Sequence, residues 1–364
     1  MKFGIFILGS CPHGDHQRAY GEFLEQIDYA EELGFDYVWL GEHHGSPYGM
    51  IPSPPVFASS IAQRTSRLRI GVAVTILPFL HPVRIAEDWA MVDVLSGGRL
   101  DFGAGRGYQP REFKMVGAEP ELSREVFVES LDIILGLWTH GRFSYQGKHF
   151  QIDEVELFPK PVQKPIPTML AALSPSGFQL VAEKGLQILT TPFLMPLDEL
   201  KEQVVIASRT MIDHGRDPAD IDFPMNIAAY VAPSKQEAIE QTREPMDWLF
   251  DQAVSLTPGG RGQKAAKGYE DYEKVMKGMG NRPKVEDLVA SGNVLVTDPD
   301  GVRERIAELR ADIGLKRLTF SMALPGLDQE LILRSMRLVA EEVMPEFRDE
   351  TPVPEAFLAA AEGS

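Results

Sequence analysis

Leu100-Asp101-Phe102-Gly103-Ala104-Gly105-Arg106-Gly107-Tyr108 is an apolar run that ends in three glycines around one arginine. It reads as a buried strand that delivers a cation and bare backbone amides to the rim of a pocket. Glycine permits close backbone approach, and arginine offers a planar fork of donors suited to phosphate. The glycines do not form the dinucleotide fingerprint, because Tyr108 stands where a sixth-position glycine is needed. A tight turn with a surface arginine is the plainer reading of the stretch taken alone.

Outward from this strand, apolar β-rich runs alternate with helix-period segments. Strands are expected at Phe3–Leu8, Asp36–Gly41, Arg69–Thr75, Leu100–Gly105, Thr168–Ala172, Gln187–Thr190, Met225–Val231 and Arg317–Met322. The helices between them are expected at Tyr20–Leu33, Pro55–Arg64, Val83–Leu95, Arg124–Trp138, Phe178–Lys184, Leu197–His214 and Lys235–Leu256, with Asp298–Ile313 before the last strand and Gln329–Val343 after it. A hairpin is expected at Phe143–Tyr145 and His149–Ile152. Eight βα units in series make a single (β/α)8 TIM barrel the natural closure, with a doubly wound sheet as the competitor. The expected domain spans residues 1–350, and residues 351–364 read as a loose tail. Between helix seven and strand eight, Thr257–Arg282 is rich in glycine and lysine. Such long insertions in compact domains are usually lids or disordered segments, so a mobile lid is expected there.

Composition narrows the function. The net charge of −17 over 364 residues argues against nucleic acid or an anionic membrane as partner. One cysteine, Cys11, excludes an internal disulfide framework and a cysteine-based zinc site, and a reducing cytoplasm fits. The opening apolar run is too short for a signal sequence, and Ile70–Leu80 is too short to span a bilayer. No metal site is expected, since His13 and His16 have only Asp15 near them.

In a barrel the site lies at the C-terminal ends of the strands. That rule picks out Phe6 and Leu8, Glu42-His43-His44, Ala73-Val74-Thr75, Arg106, Ser174-Pro175-Ser176-Gly177, and Thr190-Thr191. Together they offer a possible base, an arginine, hydroxyls, glycine amides and apolar walls, which suits a planar cofactor bearing a phosphate. Adjacent residues on an extended strand face opposite ways, so one of His43 and His44 faces the mouth and the other packs behind it. Ser174 and Ser176 precede a helix, whose free amides favour phosphate but whose first residue is often serine for capping alone.

These residues, in this order, resemble the bacterial luciferase-like flavin monooxygenases, and most closely the luciferase α subunit group, over roughly residues 1–348. The resemblance rests on the opening strand Met1–Leu8, on Glu42-His43-His44, and on Leu77-Pro78 with His81-Pro82-Val83-Arg84 and Ala86-Glu87-Asp88. Further matches are Gly97-Gly98-Arg99 through Arg106-Gly107, Lys267-Gly268-Tyr269, Lys277-Gly278, and Ser335-Met336 with Met344-Pro345. Each match is common by itself. Their joint order and spacing are not.

The resemblance implies a TIM barrel that takes reduced FMN from a separate flavin reductase and adds O2 to form a C4a-peroxyflavin, which oxidises a small organic substrate such as an aldehyde or ketone. It assigns the phosphate to Arg106, Arg124, Ser174, Ser176 and the Gly177 amide, and a cis peptide under the flavin ring to Ala73-Val74. Glu42, Thr75, Tyr108 and Thr191 are expected to line the cofactor site, and His43 to be the catalytic acid–base group. Phe6, Leu8 and Trp248 are expected on the substrate walls and Lys277 on the lid. A homodimer in the cytoplasm is expected. Leu173, Gly177, Gly105 and Pro192 stand where the family has an acidic residue, a hydroxyl, a reactive cysteine and a tryptophan. These departures speak against light emission and a long-chain aldehyde. An F420-dependent dehydrogenase on the same fold, or a non-catalytic flavin-binding subunit, are the alternatives.

Overall fold

A computed structural model describes residues 1–172, 174–193, 195–260, 264–273 and 284–348. Its first half runs β1 (Lys2–Ile7), α1 (His16–Leu33), β2 (Tyr37–Leu40), α2 (Pro54–Arg64), β3 (Arg69–Val72), β4 (Thr75–Ile76), α3 (Pro82–Leu95), β5 (Leu100–Gly105), α4 (Pro110–Val116) and α5 (Ser123–Thr139). A hairpin of β6 (Phe143–Gln146) and β7 (Gln151–Val155) follows, then β8 (Thr168–Ala171), α6 (Pro175–Glu183), β9 (Gln187–Leu189), α7 (Leu197–Asp213), β10 (Met225–Val231) and α8 (Lys235–Leu256). The chain ends in α9 (Val285–Ala290), β11 (Val294–Thr297), α10 (Pro299–Ile313), β12 (Arg317–Ser321), α11 (Gln329–Leu338), a π turn at Val339–Val343, and α12 (Met344–Phe347).

Local chemistry sets these boundaries. Proline occupies the first helical turn of α2, α3, α4, α6 and α10, where its missing N–H costs nothing. Asp15, Ser174, Ser234 and Asp298 cap their helices with side-chain oxygens.

The main strands pair in parallel in the order β11-β10-β12-β1-β2-β3-β5-β8-β9, with β4 on β5. The sheet curls. Its outer face carries Ile5, Ile7, Val38, Leu40, Ile70 and Val72 into one large core beneath the helices. Its concave face is filled by Phe6, Tyr37, Trp39 and Met169, with Leu8, Ala73 and Leu189 above them. Gly4 and Gly71 make room for two of these rings. A Cβ at Gly4 would lie 2.1 Å from the Tyr37 ring, and one at Gly71 2.5 Å from the Trp39 ring.

The two runs of the sheet meet at one point. Thr190, just after β9, bridges Met225 in parallel; its N–H donates to Pro224 O (2.9 Å) and its carbonyl accepts from Asn226 N (2.9 Å). β9 pairs no further along β10 because β11 holds Ala228–Val231. This extra strand is absent from the eight-strand expectation. Buried Asn293, just before β11, ties the seam by donating to Met195 O (2.9 Å) and Pro192 O (2.5 Å).

Other expectations need correction. Strand three does not run unbroken to Thr75: it stops at Val72, the Ala73–Val74 peptide is cis, and Thr75–Ile76 resumes against Ala104–Gly105. α4 and α9 were not foreseen. The closing helix Gln329–Val343 divides at the π turn. Of the lid, 257–260 and 264–273 are described; Lys277 and the tail 351–364 lie outside the described residues.

The break at residues 73–74 explains Gly105. A Cβ there would lie 2.3 Å from Val74 Cγ2. Gly105→Ala is expected to destabilise by about 1–3 kcal/mol through overpacking. Urea denaturation should show that loss, and adding Val74→Ala should recover part of it.

Glu31 on α1 ties down the turn before β3. Its carboxylate accepts from the amides of Ser66 (2.7 Å), Arg67 (3.0 Å) and Leu68 (2.8 Å) and from the Ser66 hydroxyl. Burial alone would raise this carboxyl, but these donors outweigh it and hold it at about 2, against an ordinary 4.5. A depressed carboxylate stabilises the fold above its unfolded value and loses that effect as pH falls through its folded value. The stability gap between the native chain and Glu31→Ala, read from urea midpoints, is therefore expected to be constant above about pH 4.5 and to shrink toward pH 2.

Candidate functional site

β2 delivers Glu42-His43-His44 to the C-terminal rim of the sheet, and the two histidines part as strand geometry requires. His43 turns toward two tyrosines, with its ring centroid 5.0 Å from Tyr48 and 6.0 Å from Tyr108, both edge-on. His44 turns back, with Nε2 3.1 Å from Glu42 Oε1 and its ring edge-on to Phe79. Glu42 also accepts from Ile76 N (3.2 Å), so it anchors the segment that follows the cis peptide. Burial pushes the Glu42 carboxyl up, while its hydrogen bond to His44 raises that imidazole and favours its charged form.

The partner of His43 comes from α4. Glu112 is fully buried, and its Oε1 lies 2.9 Å from His43 Nδ1 and accepts from His44 N (2.8 Å). Its Oε2 has no hydrogen-bond partner among the described residues. Gln109, also fully buried, places Nε2 3.1 Å from the same Nδ1 and 3.5 Å from Tyr108 Oη. Burial raises the phenols of both Tyr48 and Tyr108, so they stay neutral.

β5 brings up Arg106. Its Nη2 donates to Gly268 O (3.1 Å) and its guanidinium lies 4.7 Å from the centre of the Tyr269 ring. Tyr269 is buried, and its hydroxyl meets Ser123 Oγ at 2.9 Å. Ser123 begins α5 next to Arg124, so one tyrosine links the two arginines of the expected phosphate site. Arg124 is exposed and makes no ion pair among the described residues. Tyr272 stacks on Tyr108 with centroids 5.4 Å apart, and burial pushes its phenol up to about 12. Residues 268–272 thus pack onto the rim instead of standing away from it.

The neighbouring strand β8 ends in the α6 N-terminus. β5 pairs β8 with Ala104 opposite Leu170, which puts Arg106 and Ser174 on adjacent strand ends. Ser174 caps α6, with Oγ 3.4 Å from Gly177 N and 3.3 Å from Ser176 Oγ. The space at Gly177 is tight, since a Cβ would sit 2.9 Å from Ala172 Cβ. Thr75, beside the cis peptide, is buried, and its Oγ1 has no hydrogen-bond partner among the described residues. Ala73 and Val74 are half-buried there, and Thr191 uses Oγ1 to accept from Phe193 N (3.2 Å).

Most of the expected residues therefore fall into two groups. Glu42, His43 and Tyr108 meet around Glu112, while Arg106 and Arg124 with Ser174, Ser176 and Gly177 lie along adjacent strand and helix ends. Phe6 belongs to the filled floor, and Leu8 bridges that floor to an apolar cluster with Tyr48, Phe250 and Phe193. Trp248 is half-buried on α8, whereas its neighbours Met246, Leu249, Phe250 and Ala253 are buried in that cluster, with Phe250 4.7 Å from Phe193. Lys277 lies outside the described residues. The sequence reading missed Gln109, Glu112, Tyr48, Tyr272 and Phe250. Pro110 followed seven residues later by Gly117 is a start-and-stop signal that would have revealed α4 and its acid.

Known proteins bear on this arrangement. The alkanal monooxygenase alpha chain of the Kryptophanaron alfredi symbiont is 29% identical over 362 residues, covering 96% of this chain and 99% of its own. The oxygenating constituent of the 3,6-diketocamphane monooxygenase of Pseudomonas putida, a type II Baeyer–Villiger monooxygenase solved in complex with FMN, is 20% identical with a TM-score of 0.77, covering 95% and 98%. An F420-dependent secondary alcohol dehydrogenase, solved with an F420–acetone adduct, is 21% identical with a TM-score of 0.72, covering 96% and 99%. Both solved structures share the fold with this chain. The sequence profile of the luciferase-like monooxygenases matches residues 1–317, and the chain belongs to that family of oxidoreductases.

Proposed function

We propose that this chain is the oxygenating component of a two-component flavin monooxygenase that uses reduced FMN and O2 on a small organic substrate, an aldehyde or ketone being the first to try. The observation that carries the reading is the phosphate cradle at the β5 and β8 ends. Arg106 spends one donor on Gly268 O and keeps the rest of its guanidinium. Arg124 adds a second exposed cation, and the α6 N-terminus adds amides and a positive dipole end. Nearby Thr75 Oγ1, buried and unpartnered, would gain an acceptor or donor from a polar ring edge. The residues present therefore fit a planar cofactor with one phosphate. They lack the dinucleotide fingerprint that NAD or FAD would favour.

When bound, reduced FMN would supply the two electrons with which one oxygen atom of O2 enters the substrate and the other leaves as water. The chain's own part is to bind, to exclude water and to move a proton. Leu8, Phe193 and Phe250 form an apolar wall on the seam side, and Tyr108 under Tyr272 closes the other. His43 faces this mouth with Nδ1 engaged, leaving Nε2 to give or take a proton. A single (β/α)8 barrel over residues 1–350 belongs to the same reading, and the Thr190–Met225 bridge supports it. So do a homodimer, a cytoplasmic location and a transient flavin reductase, all supported by the family alone.

Oxygen uptake with enzymatically reduced FMN and a panel of carbonyl compounds tests the reading. Substrate-dependent uptake with stoichiometric product is expected. Tight binding of F420 with none of FMN would replace it with the dehydrogenase reading, and flavin binding without turnover of any substrate would favour a non-catalytic subunit.

Arg106→Ala and Arg124→Ala are each expected to weaken FMN binding roughly tenfold or more, as loss of a charge-assisted hydrogen bond implies. Riboflavin, which has no phosphate, should lose far less in the same fluorescence titration. Equal losses would place the arginines in folding instead.

His43→Ala is expected to keep FMN binding while product formation falls by about 10²–10⁴-fold, the usual weight of general acid–base catalysis. Single-turnover product yield checks it, and a wild-type yield would remove His43 from the chemistry.

A further inference from the structure

We infer that Glu112 is the positioning residue for His43: its buried carboxylate fixes the imidazole with the proton on Nδ1 and Nε2 free toward the mouth. The catalytic use of that Nε2 rests on the monooxygenase reading above; the tautomer does not. Nδ1 has two polar neighbours, Glu112 Oε1 at 2.9 Å and Gln109 Nε2 at 3.1 Å, and it can satisfy only one role. A carboxylate oxygen has no proton to give. Set against an unprotonated Nδ1, it would bring two lone pairs together at a buried contact. The Glu112 oxygen is held there independently, because it also accepts from His44 N, an amide fixed by the chain after β2. Gln109 has another acceptor for its N–H in Tyr108 Oη. The charged acceptor therefore takes the Nδ1 proton, since charge-assisted bonds outweigh neutral ones.

The arrangement is built rather than incidental. Glu112 and Gln109 are both fully buried, although such residues are mostly exposed. Glu112 Oε2 finds no hydrogen-bond partner among the described residues, so its burial is a cost that helix packing alone does not explain. The rest of the ring's surroundings are the neutral phenols of Tyr48 and Tyr108, while Glu42 is turned away to His44 and Ile76 N. Glu112 is thus the carboxylate nearest to offset charge when Nε2 takes a proton.

Nitrogen-15 spectra of histidine-labelled protein, with His43 assigned by comparison with His43→Gln, read the tautomer without cofactor or substrate. Neutral His43 in the wild-type chain is expected to carry its proton on Nδ1. Glu112→Leu removes the acceptor, and the proton is expected to move largely to Nε2; Glu112→Asp, which keeps the carboxylate, should retain it on Nδ1. An Nε2–H ring in the wild-type chain overturns the inference, whether or not the leucine variant folds. So does a leucine variant whose Nδ1 stays protonated. Glu112→Gln keeps an acceptor for His44 N while removing the charge. Its kcat for substrate oxidation is expected to fall roughly tenfold or more with KM within about twofold. Unchanged kcat would show that the charge plays no part. If the wild-type chain oxidises nothing, the monooxygenase reading fails while the tautomer result still stands.

Discussion

Strand β5 lies where it does because residues 103 and 105 have no side chains. A Cβ on Gly103 would meet the Val72 carbonyl at 2.0 Å, and one on Gly105 would meet Val74. These two absences let β3 and β4 approach β5, with the cis peptide between them, and let β8 close on its other side. Everything at the rim inherits that spacing. Arg106 emerges one residue after the tight contact, opposite the α6 N-terminus. The stretch Gly103–Gly107 is thus a packing device first, and a carrier of cation and amides because of it.

The rim divides its electrostatics between two centres. On the β5–β8 side stand positive groups: Arg106, Arg124 and a helix N-terminus. On the β2 side, two buried carboxylates each hold a histidine, Glu42 behind and Glu112 in front. Glu42 additionally braces Ile76 N, so the back pair holds backbone while the front pair faces the two tyrosines. Neutral tyrosines fill the space between, with phenols raised by burial.

Much of this was legible in the sequence. β5, β10 and α8 fall at the residues that periodicity indicated, because each is long and flanked by clear turn or capping signals. The different surroundings of His43 and His44 were expected from strand alternation, although β2 ends at Leu40 and both histidines lie in the segment after it. What escaped depends on contacts between distant segments. Glu112 reaches His43 across 69 positions of sequence, and nothing near either residue announces the other. β11 is only four residues long, and its place on β10 is decided by which edge is vacant rather than by its own pattern. The resemblance pointed to Trp248, but helical phase buries Leu249 and Phe250 more deeply.

The single bridge between β9 and β10 gives the two sides of the mouth unequal evolutionary freedom. Around β1, β2, β3, β5 and β8, a change of one residue would shift paired strands and flip their faces. At the seam, the loop after β9 is held by Asn293 and its carbonyl partners instead of by a strand ladder. Insertions or exchanges near residues 191–195 and 284–293 can therefore reshape the opening while every register on the opposite wall is preserved. A lineage could change what enters the mouth there and leave Arg106, the α6 N-terminus and His43 untouched.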